Sequence, residues 1–320
     1  MSVMPAATPG AKYDRLIASA KSVGTVSTIV VHPCDESSLR GAIESAEAGI
    51  VKATLVGPAA RIRDVAARHD LNISGFEIVD TAPTEAAAAA RGVELIHEGR
   101  GEVLMKGSLH TDEIMRAVTA KVGGLRTDRR ISHVFVMDVP AYTDTVFVTD
   151  AAINIFPDLD SKRDIIQNAV DLYNETGFGT TPRVAILSAV ETVTSKIPST
   201  IEAAALCKMA DRKQITGALL DGPLAFDNAI DMEAARIKGI KSEVAGRAQI
   251  LIVPDLESGN MLAKNLAYFA KADAAGIVLG ARVPVVLTSR ADSARSRMAS
   301  AAVAALHADA RRRKAPIAPA

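Results

Sequence analysis

The sequence predicts an α/β protein built as two three-layer α/β domains with mainly parallel sheets. Three observations predict it. Short aliphatic runs alternate with helical stretches almost throughout, the rhythm of βαβ units. Of the 320 residues, 48% are hydrophobic but only 3% aromatic, and Trp is absent. A core of Ala, Val, Ile and Leu suits strands buried on both faces of a parallel sheet. The rhythm breaks once, near 140–150, where two strand-like runs follow each other with no room for a helix, and such a break marks a domain junction.

In chain order, TVSTIVVHP (25–33) reads as a strand and 36–48 as a helix. Strand VKATLVG (51–57) ends at Pro58, which suits a first helical turn, so a helix runs to about His69. FEIVD (76–80) is a strand, and the Ala-rich stretch after Pro83 is a strong helix former. Strand EVLMKG (102–107) and a helix over 111–121 complete the first half. SHVFVMDVP (132–140) and TDTVFVTD (143–150) read as an antiparallel hairpin. Alternation then resumes: helix 161–175, strand 183–188, helix 199–210, strand ITGALLDG (215–222), helix 227–238, strand AQILIVPD (248–255), helix 259–272. Strands GIVLG (276–280) and VPVVLTS (283–289) lead into a last helix from about Asp292.

Charge and composition exclude several classes. Acidic and basic residues balance at 37 each, which argues against a nucleic-acid partner. The one basic cluster, Arg311 to Lys314, reads as a solvated helix end where cations suit the dipole. Cys34 and Cys207 form neither a metal spacing nor a disulfide framework, and both read as reduced thiols. The N-terminus lacks the regions of a signal peptide, and no apolar run approaches a membrane span. The expected location is the cytoplasm, with no membrane partner. No His/Asp/Glu cluster has metal-ligand spacing, so no metal is expected.

In parallel sheets, ligands sit beyond the carboxyl ends of the strands. That rule selects the loops after Gly107, Ser188, Asp221, Asp255 and Ser289. No Walker motif occurs, and GFGTTP (177–182) lacks the third glycine and precedes a strand, which argues against ATP and NAD. PDLESGN (254–260) places Gly259 and Asn260 at a helix opening, where free N–H groups favour an anion; an ordinary capped start is the plainer reading. DGPLAFDNA (221–229) puts Asp221 at a strand end and Asn228 at a helix start, a pattern that turn chemistry also explains. In TSRADS (288–293), Arg290 suits a forked contact to phosphate oxygens, Ser289 offers a hydroxyl, and Asp292 is either a base or, by position, the last helix's N-cap. MKGSLHTDEIMR (105–116) carries Gly107, His110, Thr111 and Arg116 across a strand-to-helix turn, with Thr111 the expected cap.

These motifs together resemble the phosphate acetyltransferase and phosphate butyryltransferase family over nearly the whole chain. LMKGSLHTDEIMRAV, VTDAAINIFPDLDSKRDIIQNAV, MADRKQITGALLDGPLAFDNA, VPDLESGNMLAKNLAYFAKA and VPVVLTSRADS carry the resemblance, and TDAAINIFPD, DGPLAFDNA and TSRADS lean toward the butyryl-type branch. The resemblance implies that a second domain is inserted into the first, with the active site in the interdomain cleft. The expected division is 1–148 and 276–320 for the first domain and 149–275 for the insertion. It implies a homodimer that transfers a short acyl group between phosphate and coenzyme A, which is a substrate, with no tightly bound cofactor. Ser289 and Arg290 match the family's catalytic pair, Arg116 an Arg contacting substrate or coenzyme A, and Gly259 and Asn260 a phosphate-side helix start. Two departures stand out. Where acetyltransferase members carry an Asp seven residues after the catalytic Ser, this chain has Ser296, so the base is open and Asp292 is the nearest carboxylate. DTAPTEAAAAARG replaces an Arg-rich segment before the helix at 84–98.

The implied chemistry is attack of a thiolate on the acyl carbonyl, with charge developing on the carbonyl oxygen and the departing phosphate. No activated Cys lies in these loops, so no covalent acyl-enzyme is expected. Two other classes are weighed. A two-domain dehydrogenase needs clustered metal-binding Asp residues and an NAD loop, neither of which is found. A non-catalytic sensor of acyl-CoA or acyl phosphate is opposed by the intact Ser289 and Arg290.

Overall fold

A computed structural model of the chain describes residues 10–288 and 292–314. Contacts divide these residues into two compact units. The inserted unit holds 130–274 together with the described N-terminal residues through Lys12; the outer unit holds 13–129 and the chain from 275 onward. The division thus falls at 129/130, upstream of the expected 148/149. The cause is strand pairing: β5 (Ser132–Asp138) and β6 (Val146–Thr149) form the antiparallel hairpin read from the sequence, and β6 lies parallel to β9 (Ile250–Ile252). The hairpin therefore opens the inserted unit.

In the outer unit the strand order is β3 (Glu77–Asp80), β2 (Val51–Gly57), β1 (Val26–Val31), β4 (Val103–Lys106), β11 (Val285–Val286), β10 (Asp273–Leu279). All adjacent pairs are parallel except β10 with β11. α2 (Glu36–Glu47), α3 (Ala59–Arg68) and α11 (Ala294–Arg313) form one packed group on the sheet; α4 (Glu85–His97) and α5 (Thr111–Thr119) form another. Covered on both faces, β4 is buried along its whole length and β1 at all but one residue. Asp35 and Thr84 cap α2 and α4 through their side chains. Gly92 lets α4 approach β1, since a Cβ there would lie 2.7 Å from Val31 Cγ2. The basic end of α11 is the helix terminus expected, with Arg312 paired to Glu102 and Arg313 to Asp309. α1 (Ala11–Ser22) was not read from the sequence. Among the described residues no helix is long and apolar enough to cross a membrane.

The inserted unit orders its strands β5, β6, β9, β7 (Arg183–Leu187), β8 (Leu219–Leu224). α6 (Leu159–Glu175) and α7 (Pro198–Asp211) pack together on this sheet, and α8 (Phe226–Ile230) and α10 (Leu256–Tyr268) pack on it as well. One core cluster joins Met137, Val148, Ala185, Leu224 and Leu251; outside it, Phe147 meets Tyr173 and Phe178 edge-on. Lys12 is clipped to this unit: its Nζ donates to Val139 O (2.8 Å) and Tyr142 O (2.6 Å) and pairs with Asp138 (3.1 Å), all but shut from water. Two boundaries differ from the sequence reading. β8 starts at Leu219, not 215, because Gly217 turns the chain at φ 84°. The helix expected over 227–238 is two, α8 and α9 (Met232–Ile237), because Asp231 leaves helical geometry at φ −120° and caps the second through Ala234 N.

Candidate active site

Three strand ends of the outer unit lead toward site residues expected from the sequence. β1 ends at Val31, just before His32; β4 ends at Lys106, ahead of Gly107 and Ser108; and β11 ends at Val286, two residues before Thr288, with 289–291 outside the described residues. Ser289 and Arg290 therefore lie outside the described residues. The chain leading to them is held: buried Lys106 donates from Nζ to Gly107 O (3.3 Å) and Thr288 O (3.4 Å). Lys106 shares a small recess with Ser38, Gly41, Ser45, Met105, Thr288 and Arg297.

Gly107 is required by the backbone itself. Its N–H donates to Val31 O (2.8 Å), and a Cβ would sit 2.4 Å from Val31 O and 2.5 Å from His32 O. Its role is close approach of two strand ends. Ser108 completes the junction: its N–H donates to His32 O (2.9 Å), its hydroxyl donates to the same carbonyl (2.8 Å), and it accepts from Cys34 N (3.2 Å). The His32 ring meets the same hydroxyl through Nδ1 at 3.0 Å.

His110 and Arg116 come together on an open cavity of about 450 Å³, which Thr84, Glu85, Ala86, Asp112 and Glu113 also line. His110 donates its N–H to Glu85 Oε2 (2.8 Å), and its Nδ1 lies 2.9 Å from the same oxygen. Burial alone would raise the Glu85 carboxyl, but these bonds outweigh it and hold its pKa below the ordinary value. Arg116 bonds Glu113 at 2.6 Å with 69% of its side chain exposed. An exposed pair of this kind contributes little to stability, so Arg116 can exchange Glu113 for a ligand anion at small cost. Thr111 is not the cap: His110 holds that position, Thr111 is the first helical residue, and Glu85 takes the His110 N–H from outside. Asp292 is likewise not the cap of α11. Ser293 is, accepting from Ser296 N (3.1 Å), and Ser296 is itself 7% exposed.

In the inserted unit, the four expected ligand residues lie on β8, α8 and α10. Asp221 lies inside β8, its Oδ1 accepting from Gly222 N (2.8 Å). Asn228 is fully buried on α8; Nδ2 reaches Glu191 at 3.4 Å, and Oδ1 has no partner among the described residues. Gly259 does not open its helix: α10 starts at Leu256 under the Asp255 cap, and the Gly259 N–H is taken by Asp255 O (3.1 Å). A Cβ at Gly259 would lie 2.7 Å from Val253 Cγ2 and 3.0 Å from Asp150 O. Asn260 donates to Ala151 O (3.3 Å). Both thus seat α10 on the turn after β6. There buried Asp150 collects bonds from the main-chain N–H groups of His133, Ala152, Ile153 and Asn154, and from Asn154 Nδ2 (2.6 Å). Sequence reasoning missed Asp150 and Asn154, although Asp at a strand end with polar N–H claimants two to four residues on is an Asx-turn signal.

The thiols are inert. Burial pushes Cys34 up to about 11 and Cys207 up to about 12, far from a thiolate at neutral pH. Among the described residues no group of three or more His, Cys, Asp or Glu side chains is placed to hold a metal ion.

A family model described as phosphate acetyl/butaryl transferase matches residues 84–305. A Rhizobium meliloti protein named phosphate acetyltransferase is 71% identical over 96% of both chains. A Clostridium beijerinckii protein named phosphate butyryltransferase is 41% identical over 92% of this chain and 97% of its own. Identity is therefore higher toward an acetyl-type relative, against the lean read from the motifs. A solved structure of a branched-chain phosphotransacylase from Enterococcus faecalis superposes with a TM-score of 0.76 at 28% identity, covering 88% of this chain and 98% of that one.

Proposed function

Because the chain belongs to the phosphate acetyl/butyryl transferase family, we propose that it transfers an acetyl group reversibly between inorganic phosphate and coenzyme A. The observation that carries the acetyl reading is the 71% identity, over nearly the full length of both chains, to a relative named for that activity. The enzyme class, an acyltransferase acting with phosphate and coenzyme A, follows from the family itself.

Acyl phosphate and coenzyme A meet at the carboxyl edge of the outer unit. Arg290 neutralises the phosphoryl group with a forked contact, and Ser289 hydrogen-bonds the reacting centre. Both assignments rest on the TSRADS motif; support comes from the Lys106 tether, which fixes the carbonyl immediately before Ser289. Arg116 and His110 receive coenzyme A at the cavity beside α5, where Arg116 is exposed and held only by Glu113. A free thiol of pKa about 8.5 is only a few per cent thiolate at pH 7, so a positive field and a base must raise that fraction. The thiolate attacks the acyl carbon, the bond to phosphate breaks, and preorganised donors stabilise the oxyanion and the leaving phosphate. Much of the acceleration is proximity of two bound substrates. The raised thiols of Cys34 and Cys207 favour direct transfer over an acyl-enzyme.

The working form is a cytoplasmic homodimer. Support for the dimer comes from α10, where Met261, Tyr268 and the following Phe269 stand 66%, 67% and 84% exposed on one side of the helix.

Thioester formation from coenzyme A with acetyl, propionyl and butyryl phosphate tests the acyl assignment. We expect kcat/KM to fall by about tenfold or more from acetyl to butyryl, the scale on which a pocket discriminates added methylenes. A higher kcat/KM for butyryl phosphate would make the chain a butyryltransferase.

A further inference from the structure

His110 and Glu85 form a pair that anion binding does not account for. Glu85 opens α4 after β3, and His110 sits one residue ahead of α5 after β4, so both stand at the carboxyl edge of the outer sheet. One carboxylate oxygen, Glu85 Oε2, takes the His110 main-chain N–H at 2.8 Å and lies 2.9 Å from Nδ1 of its ring. Two contacts to one oxygen fix both where the ring stands and which way it turns. A ring that only lent positive charge to a phosphate would be weakened by a carboxylate at its back. A ring that exchanges a proton would be served by one.

The same contacts fix the tautomer. Burial favours the neutral acid at Glu85, but the bonds from His110, helped by the His32 ring, outweigh it and hold the carboxyl below its ordinary pKa. An ionised carboxylate only accepts, so Nδ1 carries the ring proton and Nε2 keeps the lone pair. Among the described residues Nε2 has no hydrogen-bond partner.

That nitrogen is within reach of a ligand. The His110 side chain is 73% exposed and lines the open cavity of about 450 Å³ that Arg116 also lines. A carboxylate, an imidazole turned by it, and a free ring nitrogen on a cavity are the parts of a general base held by an orienting group.

We infer that His110 is the general base of the transfer, taking the coenzyme A thiol proton on Nε2, with Glu85 as the positioning residue behind it. The S–H bond breaks as N–H forms. The sulfur pair attacks the acyl carbon, the carbon–oxygen bond to phosphate breaks, and the proton passes from Nε2 to the departing phosphate. In reverse, phosphate gives its proton to Nε2, and the imidazolium returns it to the leaving thiolate. Glu85 stabilises the imidazolium, and Arg116 across the cavity favours the thiolate. The other charged groups on the cavity are Asp112 and Glu113 of α5, and Glu113 is already bonded to Arg116. The assignment fills the role left open by Ser296.

The inference rests on the transferase reading, and wild-type turnover with acetyl phosphate and coenzyme A tests that reading separately. Given turnover, kcat/KM for coenzyme A is measured against pH for wild type, His110→Gln, Glu85→Gln and Asp292→Asn, with folding checked by circular dichroism. His110→Gln should lose about 10²–10⁴-fold near pH 7, and the deficit should shrink as pH rises through the thiol pKa of about 8.5, where the substrate ionises unaided. Glu85→Gln should show a smaller loss that shrinks over the same range, which a purely structural role would not produce. A loss in His110→Gln that is equal at every pH, or under threefold, would overturn the proposal. So would a deficit that shrinks with pH in Asp292→Asn and not in His110→Gln.

Discussion

His133 shows what burial does to one residue. It is 2% exposed on β5, its ring edge-on to Phe135 at 4.4 Å. Burial lowers its pKa to about 4, against a smaller upward pull from Asp150. The folded value lies below the unfolded value near 6.5, so the unfolded chain binds the proton more readily in that window. Stability is therefore full above about pH 6.5 and falls as the pH drops below it. Urea unfolding of wild type and His133→Phe across that range should show the variant losing markedly less stability; parallel curves would contradict the burial account. At this scale the sequence was legible where chemistry is local. His110 and Arg116, read from one loop, do share a cavity. Asp221, Asn228, Gly259 and Asn260 are read as ligands from a strand end and a helix start, a pattern that looks alike whether it holds an anion or its own backbone. The close approach of Gly259 to Asp150 O is not legible in the local sequence, since only folding joins those residues.

At the scale of elements, the aliphatic runs located nearly every strand, because a strand buried on both faces has no polar alternation to obscure it. Helix starts were less legible. His110, not Thr111, and Ser293, not Asp292, hold the cap positions, because the N–H groups found partners elsewhere or one residue on. The junction of β1 and β4 was invisible in sequence, since residues 32 and 107 are joined only by folding. It yields a direct test. Gly107→Ala should lower the unfolding free energy by about 2–4 kcal/mol, because the collisions are with backbone that cannot swing aside. Gly75→Ala, where a Cβ meets nothing within 4 Å, should stay within about 0.5 kcal/mol of wild type. Equal effects of the two in denaturant titrations would remove the structural role given to Gly107.

For the whole molecule, the return of the chain to its first sheet was implied only by the family resemblance. Periodicity shows strands and helices, not which sheet each strand joins. The boundary came out near 130 because hairpin pairing, a non-local contact, decides membership. The same scale holds the dimer proposal. Phe269→Glu places a charge on the exposed side of α10 and should shift sedimentation from dimer toward monomer with little change in thermal stability. An unchanged dimer would move the interface elsewhere.

Acyl transfer between phosphate and coenzyme A, with Arg290 proposed to contact the phosphoryl group, is open to direct assay. The most direct measurement is the initial rate of thioester formation from acetyl phosphate and coenzyme A, with released phosphate counted alongside, for wild type and Arg290→Ala. Wild type should release one phosphate per thioester, and the variant should fall well over tenfold, as expected when a charge contact to the reacting phosphoryl group is removed. A wild-type chain that forms no thioester, or an Arg290→Ala rate equal to wild type, would contradict it.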